Sequence, residues 1–437
     1  METLRIPSSP PTGRPVAGRR IAVLGAGMVG VCVALDLQAR GADVTLIDRA
    51  DPGRETSFGN AGVFARSSLI PINNPGIFAD LPRLLSNRNT SFRYDPGFLM
   101  RNAVWAIQFL NHARGKRFAE TAAALDGLIR LSIGQHLQLL SDCNLEGYLS
   151  DGGWMFLYRD AEGFRKGARA REMMQTHDVD MMPLGPAELQ DLEPGLNGIF
   201  PHALWIRDSY SVSNPGAIVE GYAREFVTRG GGILKARVTG LEEGETGALL
   251  HLQGGEQRVV DHAALCLGPW ARAFLEMSGY RVRMAYERGY HRHFSGQPGA
   301  GGNKALGRPV YDTSGGYVLA PMEQGLRLTT GVELCERDAV PNMRQILMAE
   351  QAAREAIDLG PAIEADPWVG SRPTFPDSRP VIGPVPGARH VSVAFGHQHI
   401  GFMTGPGTAS LLGDLIEGRT PLLDPQAFSP DRFIRRR

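Results

Sequence analysis

An α/β fold whose parallel sheet is gathered from three separated stretches of chain is what the 437-residue sequence predicts. Three observations predict it. A short β-prone run closes on a glycine turn at residue 25, a capped helix and strand return the chain after residue 213, and a late glycine-rich turn opens a helix near residue 408.

Ile21-Ala22-Val23-Leu24 reads as a strand buried on both faces. Gly25-Ala26-Gly27-Met28-Val29-Gly30 follows at once, and a helical pattern runs from Val31 to Arg40. Gly41 closes that helix, and Asp43 to Ile47 forms a second strand ending at Asp48, 18 residues after the last glycine. Gly25 permits the tight turn, Gly27 lets a pyrophosphate approach the backbone, and Gly30 lets helix pack on strand. The helix start, with Met28 and Val29, offers free N–H groups and a positive dipole end to phosphates. Asp48, followed by Arg49, is placed to accept hydrogen bonds from ribose hydroxyls. The unit predicts a Rossmann-like dinucleotide site and leaves FAD and NAD both open.

Later segments point to FAD. Glu55 to Gly62 contains Thr56, Ser57, Asn60, Ala61 and Gly62, a set suited to a loop along a cofactor or to a simple turn. Ser213-Asn214-Pro215 caps a helix from about Gly216 to Arg229, Gly230-Gly231-Gly232 ends it, and a strand from Ile233 to Val238 follows. Val259 to Leu267 then leads into Gly268-Pro269-Trp270, returning the chain to the first sheet, with Val238, Gly268 and Trp270 expected beside the nucleotide. NAD dehydrogenases usually complete this domain in one stretch. Near the C-terminus, Gly370 to Gly383 precedes a strand from His390 to Phe395 and then Gly396-His397-Gln398-His399-Ile400-Gly401-Phe402-Met403-Thr404. A helix from about Thr408 to Glu417 follows. Glycines before a helix start let backbone approach a flavin, and N–H groups there stabilise the negative charge of its reduced N1–C2=O edge. Gly370, Arg372, His397, Gly401, Phe402, Met403 and Thr404 are therefore expected at the ring.

The βαβ unit, Glu55 to Gly62, Arg288-Gly289-Tyr290, Gly370-Ser371-Arg372-Pro373 with Pro376-Asp377 and Pro380, and the Gly396 to Gly401 loop together resemble the D-amino-acid dehydrogenase family. More broadly they resemble the glycine oxidase and sarcosine oxidase group of flavoproteins, in order from about residue 20 to 433 and weakest between 70 and 200. The resemblance implies hydride transfer from the α-carbon of a small amino acid, D favoured, to the flavin, giving a 2-oxo acid and ammonia. A quinone or respiratory carrier, or oxygen, takes the electrons. It implies Arg372 as the carboxylate clamp, since a guanidinium grips both oxygens at once. Tyr290, in a turn after Gly289, and Tyr317 are implied at the active-site wall, and His399 as a polar or positive group in the substrate pocket. Arg288 and the Gln398-His399 pair depart from the family pattern and put substrate identity in doubt. The alternatives are a glycine, sarcosine or imino-acid oxidase, and a flavin-carrying subunit without turnover.

The expected layout is a discontinuous FAD domain (18–70, 208–275 and 368–425) and an α+β substrate domain on an antiparallel sheet (71–207 and 276–367). A disordered arm (1–17) and a C-terminal tail (426–437) flank them. Hydrophobic residues at 43% and charged residues at 21% suit an ordinary globular chain. Lys+Arg and Asp+Glu balance at 46 each, so no global field draws the chain to nucleic acid. Cys32, Cys143, Cys266 and Cys335 form no C-x-x-C pair, so no metal is expected and the reading is a reducing, cytoplasmic setting. Phe98 to Leu110 is an apolar helical pattern trailed by Arg114, Lys116 and Arg117. It is expected to be a core helix, with contact to the inner face of the cytoplasmic membrane as the other reading.

Overall fold

The computed structural model describes residues 15–295 and 306–437. Most of the arm expected over residues 1–17 lies outside the described residues; Val16, within them, is buried.

The first sheet runs Gly232–Lys235, Asp43–Asp48, Arg20–Leu24, His262–Leu265, Val391–Phe395 and Val381–Pro384. All neighbours are parallel except the last pair. Its strands are drawn from the chain's beginning, middle and end, and the helices Met28–Ala39 and Gly405–Glu417 pack together on it. Steric fit dictates the turn between the first strand and helix. Gly25 has φ +105°, and a Cβ there would lie 2.5 Å from the Cys266 carbonyl oxygen. A methyl on Gly30 would overlap the Gly25 carbonyl oxygen. Behind the turn, Arg40 joins the two helices, pairing with Asp36 (2.7 Å), Asp414 (2.8 Å) and Glu417 (2.8 Å).

The second sheet is mostly antiparallel and centres on the long strand Ala285–Phe294. Trp368–Thr374, expected in the FAD domain, pairs with this strand along its length. The Arg288-Gly289-Tyr290 stretch, expected as a turn, is the middle of the same strand. Antiparallel pairing with Trp368–Thr374 on one side and with Gly325–Thr330 and Val332–Leu334 on the other keeps it extended.

Two further expectations need correction. The strand from Ile233 to Val238 leaves the first sheet after Lys235, and Val238–Glu243 begins a separate three-stranded antiparallel sheet. The helix over Phe98 to Leu110 breaks at Asn102 into Pro96–Arg101 and Ala103–His112, because the Asn102 side chain bonds the Phe98 carbonyl (3.0 Å). Only one side of that pair is core: Phe98, Trp105 and Phe109 are buried, while Met100, Val104 and Ile107 are exposed. The C-terminal tail is docked, since Ile434–Arg436 pairs with Tyr280–Val282 and Phe433 stacks on Phe375 at 5.4 Å.

Gly30→Ala tests the turn. Overpacking at a site with backbone on the other side is expected to cost at least ~1–3 kcal/mol. It should also strip nucleotide from the purified protein; an unchanged denaturation midpoint and full nucleotide content would contradict the packing described.

Candidate active site

One cavity of about 850 Å³ opens where the two sheets meet. It lies in the upper part of the ~300–1,000 Å³ range of small-molecule sites. At one end it is lined by Gly25, Gly27, Met28, Val29, Asp48, Arg49, Val238, Gly268 and Trp270. Ser57 stands beside Met28 at that end, and the other end is lined by Thr56, Asn60, Ala61, Gly370, Arg372, His397, His399, Gly401, Phe402, Met403 and Tyr317. Gly30, Gly62, Thr404 and Tyr290 are not among its walls. Gly30 packs helix on turn, Gly62 (φ +72°) fits against the Val212 carbonyl, and the Thr404 hydroxyl donates to the Ile400 carbonyl at 2.9 Å.

At the first end, Asp48 accepts from the Ala26 N–H (2.7 Å) and the Ala50 N–H (2.9 Å), fixing the loop as well as facing the cavity. Each carboxylate oxygen keeps a lone pair for a hydroxyl. Ser57 Oγ accepts the Met28 N–H (3.0 Å), tying the loop to the helix start. The Arg49 guanidinium lies 4.4 Å from the Trp270 ring and pairs with Glu55 at 2.6 Å.

At the other end, strand register decides what faces the cavity. Glu287 pairs with Arg372, Gly289 with Gly370 and His291 with Trp368, so these six share one sheet face. A Cβ on Gly289 would lie 2.5 Å from the Arg372 guanidinium, so the glycine makes room for that side chain. Arg372 Nη1 donates to the Gly331 carbonyl (3.3 Å), and the side chain forms no salt bridge among the described residues. Asp377 is paired with Arg379 and Arg432, and Glu364 with His293, so neither carboxylate competes for Arg372. Behind Arg372, burial pushes the Glu287 carboxyl up to about 7 even against the nearby positive charge.

Tyr290 sits on the opposite face, one residue out of step. Its hydroxyl donates to Glu333 (2.5 Å) and accepts from the Asn342 N–H (2.9 Å). Arg288, on that face too, is buried and donates to the carbonyls of Glu336, Arg337, Ala339 and Val340. Tyr317 reaches the cavity, but its hydroxyl points toward the Ala352 carbonyl at 3.5 Å. His399 lines the cavity with Nδ1 unpartnered among the described residues. Burial first, then the charge of Arg372, lower its pKa to about 4, so it supplies polarity and not positive charge.

Sequence reading missed a buried relay that holds the loop facing the second end of the cavity. Arg327 Nη1 donates to the carbonyls of Phe58 (3.1 Å) and Asn60 (2.5 Å). Arg327 Nε donates to His293 Nε2 (2.9 Å), whose Nδ1 must then carry the proton given to Glu364 at 2.5 Å. Trp368 was also missed. It packs against Gly59 and Gly370, where any side chain would overlap its indole, and stacks on His291 at 4.8 Å.

The cavity fits an extended flavin dinucleotide. A helix start aims at one end, small residues line both, and the buried Gln398 Nε2 is a donor without a partner among the described residues at the other. The family described as FAD dependent oxidoreductase matches residues 20–415. The chain belongs to that family.

Two relatives align nearly end to end. A D-amino-acid oxidase of Bradyrhizobium diazoefficiens is 27% identical over 429 residues, covering 95% of this chain and 99% of that one. A D-amino acid dehydrogenase of Paramagnetospirillum magneticum is 26% identical over 438 residues, covering 95% and 99%. Among solved structures, glycine oxidase from Geobacillus kaustophilus superposes with a TM-score of 0.72 at 18% identity, over 94% of this chain and 98% of that one. That last likeness concerns the fold alone. This FAD-dependent oxidoreductase has no helix, among its described residues, long and apolar enough to cross a membrane.

Several histidines around the cavity are held neutral by burial. The pKa falls to about 4 for His136, about 3 for His397 and about 4 for His399. In the unfolded chain each titrates near ~6.5. Their contribution to stability is therefore present above pH ~6.5 and lost as pH falls toward the folded values. Denaturant midpoints are expected to drop between pH 7 and pH 5, and His397→Gln to flatten that dependence; a midpoint constant across this range would contradict it.

Proposed function

We propose that the protein oxidises an amino acid, the D enantiomer favoured, at the carbon bearing the amine, yielding a 2-oxo acid and ammonia after hydrolysis of the imine. The observation that carries this reading is the lightly bonded Arg372 guanidinium facing the cavity from beside Gly370 and Gly289. Bound FAD supplies a two-electron acceptor for the hydride. The chain's own residues do the rest.

Arg372 binds the substrate carboxylate, and its planar fork fixes orientation along with position. His399, neutral beside it, adds a hydrogen-bonding nitrogen without adding a second charge. Neutral surroundings also favour the amine in its unprotonated form, whose lone pair drives hydride departure. Trp368, Phe402 and Met403 exclude water from this end. Asn60, whose Nδ2 donates to the His399 carbonyl (3.3 Å), couples the first glycine segment to the last. The relatives named D-amino-acid oxidase and D-amino acid dehydrogenase support the D preference. They differ in acceptor, and a quinone or respiratory carrier is the proposed one, with oxygen as the competing acceptor.

The purified holoprotein is expected to be yellow and to bleach anaerobically with D-amino acids. Retained colour with no response to any amino acid of either hand would overturn the proposal. Stoichiometric peroxide in air would move the acceptor to oxygen. Arg372→Ala is expected to keep its flavin and to lose about 30- to several-thousand-fold in kcat/KM, the loss for a truncated, desolvated charge pair. A variant within about twofold of wild type removes Arg372 from the clamp.

A further inference from the structure

We infer that the amino acid carries a large apolar side chain, aromatic for preference, and that a row of residues across the second sheet is its specificity site. The inference rests on the amino-acid reading above and adds the substrate class.

Strand register defines the row. His291 pairs with Thr329, Thr329 with Val318, Val318 with Tyr311, and Tyr311 with Phe156. Directly paired residues share a face, so the five form one line across five strands, about 19 Å long at ~4.8 Å per strand. The line starts at the His291–Trp368 stack, on the strands that carry Gly289 and Arg372. Thr329, Val318, Tyr311 and Phe156 all line the cavity that Arg372 lines. A substrate gripped by Arg372 therefore has this row ahead of its side chain.

The far end of the row is aromatic. Trp154 and Phe156 have ring centroids 4.7 Å apart, and Phe156 meets Tyr311 edge-on at 5.8 Å. Trp154, Phe156 and Tyr158 alternate along one strand and line the cavity, while Met155 and Leu157 between them enter the core on the other side. No residue of the row is charged. Arg171, which also lines the cavity, donates to the Phe164 carbonyl (2.7 Å), lies 3.9 Å from the Phe164 ring and bonds the Tyr158 hydroxyl. A methyl side chain leaves this wall untouched, whereas a benzyl or indolyl group covers it in the edge and offset geometries aromatic pairs favour. One methylene in an apolar pocket is already worth about 10–200-fold in discrimination.

The test is anaerobic flavin reduction of the holoenzyme by both enantiomers of alanine, glutamate, phenylalanine and tryptophan. A parallel measurement compares binding of phenylacetate and acetate through the flavin spectrum. Phenylalanine or tryptophan is expected to exceed alanine and glutamate by at least about thirtyfold in efficiency, and phenylacetate to bind at least about tenfold tighter than acetate. Val318→Phe, which fills the middle of the row, is expected to lower the phenylalanine-to-alanine ratio at least about tenfold. Alanine or glutamate matching phenylalanine overturns the inference and leaves the amino-acid reading standing, as does an unmoved ratio in folded Val318→Phe. If no amino acid reduces the flavin, the amino-acid reading falls. The wall is then judged by the two carboxylates, equal affinity overturning it. If Val318→Phe does not fold, the wild-type ratios decide.

Discussion

The pairing of Ala285–Phe294 with Trp368–Thr374 is the constraint on which the site depends. Side chains alternate along both strands, so the register assigns each residue to the cavity or to the core behind it. A slip of Ala285–Phe294 by one residue would carry Gly289 into the core and bring Arg288 and Tyr290 into the cavity, and the same slip of Trp368–Thr374 would carry Arg372 into the core. The register is held from both sides. Arg288 Nη1 and Nη2 bond carbonyls and the Tyr290 hydroxyl bonds Glu333 on the core face, and Gly289 and Gly370 leave room for Arg372 and Trp368 on the other. Long-range antiparallel pairing thus determines the chemistry of the pocket, although no residue of that pairing belongs to the nucleotide motif.

Burial restrains the charge of the titratable groups beside Arg372. Glu287, unpartnered at Oε2 among the described residues, lies behind Arg372 with its carboxyl pushed up to about 7 because burial opposes its ionisation. His397 and His399 are neutral for the same reason. Arg327, whose burial lowers its pKa to about 10, spends its guanidinium on the carbonyls of the Glu55–Gly62 loop and on His293. Beside Gly289 and Gly370, a guanidinium without a salt bridge among the described residues is a setting in which an anionic ligand gains more than it would in water.

Local chemistry made the first half of this site legible. The glycine turn, the acid at the end of the second strand and the capped helices are short-range signals, and each helix or strand they announce is present within a few residues. The ring end was legible in parts. Arg372, His399 and the late glycine loop face the cavity, but Tyr290 does not, because sequence alone gave no strand parity for a stretch read as a turn. The Glu364–His293–Arg327 relay joins three strands or loops far apart in the chain, and no spacing rule announces it. The same holds for the row from His291 to Phe156, which exists only once five strands are in register. Phe98 to Leu110 misled for a different reason. Its apolar residues cover more than one side, and Asn102 in their midst offered a local bond that ends a helix.

A crystal structure of the FAD-loaded protein with benzoate bound tests the central claim most directly, because it reports which strand face receives a carboxylate. Both carboxylate oxygens should lie about 3 Å from the Arg372 guanidinium, with the ring directed toward Thr329 and Val318. Benzoate held by Arg171 or by another cation, with Arg372 turned away from the cavity, would contradict the account.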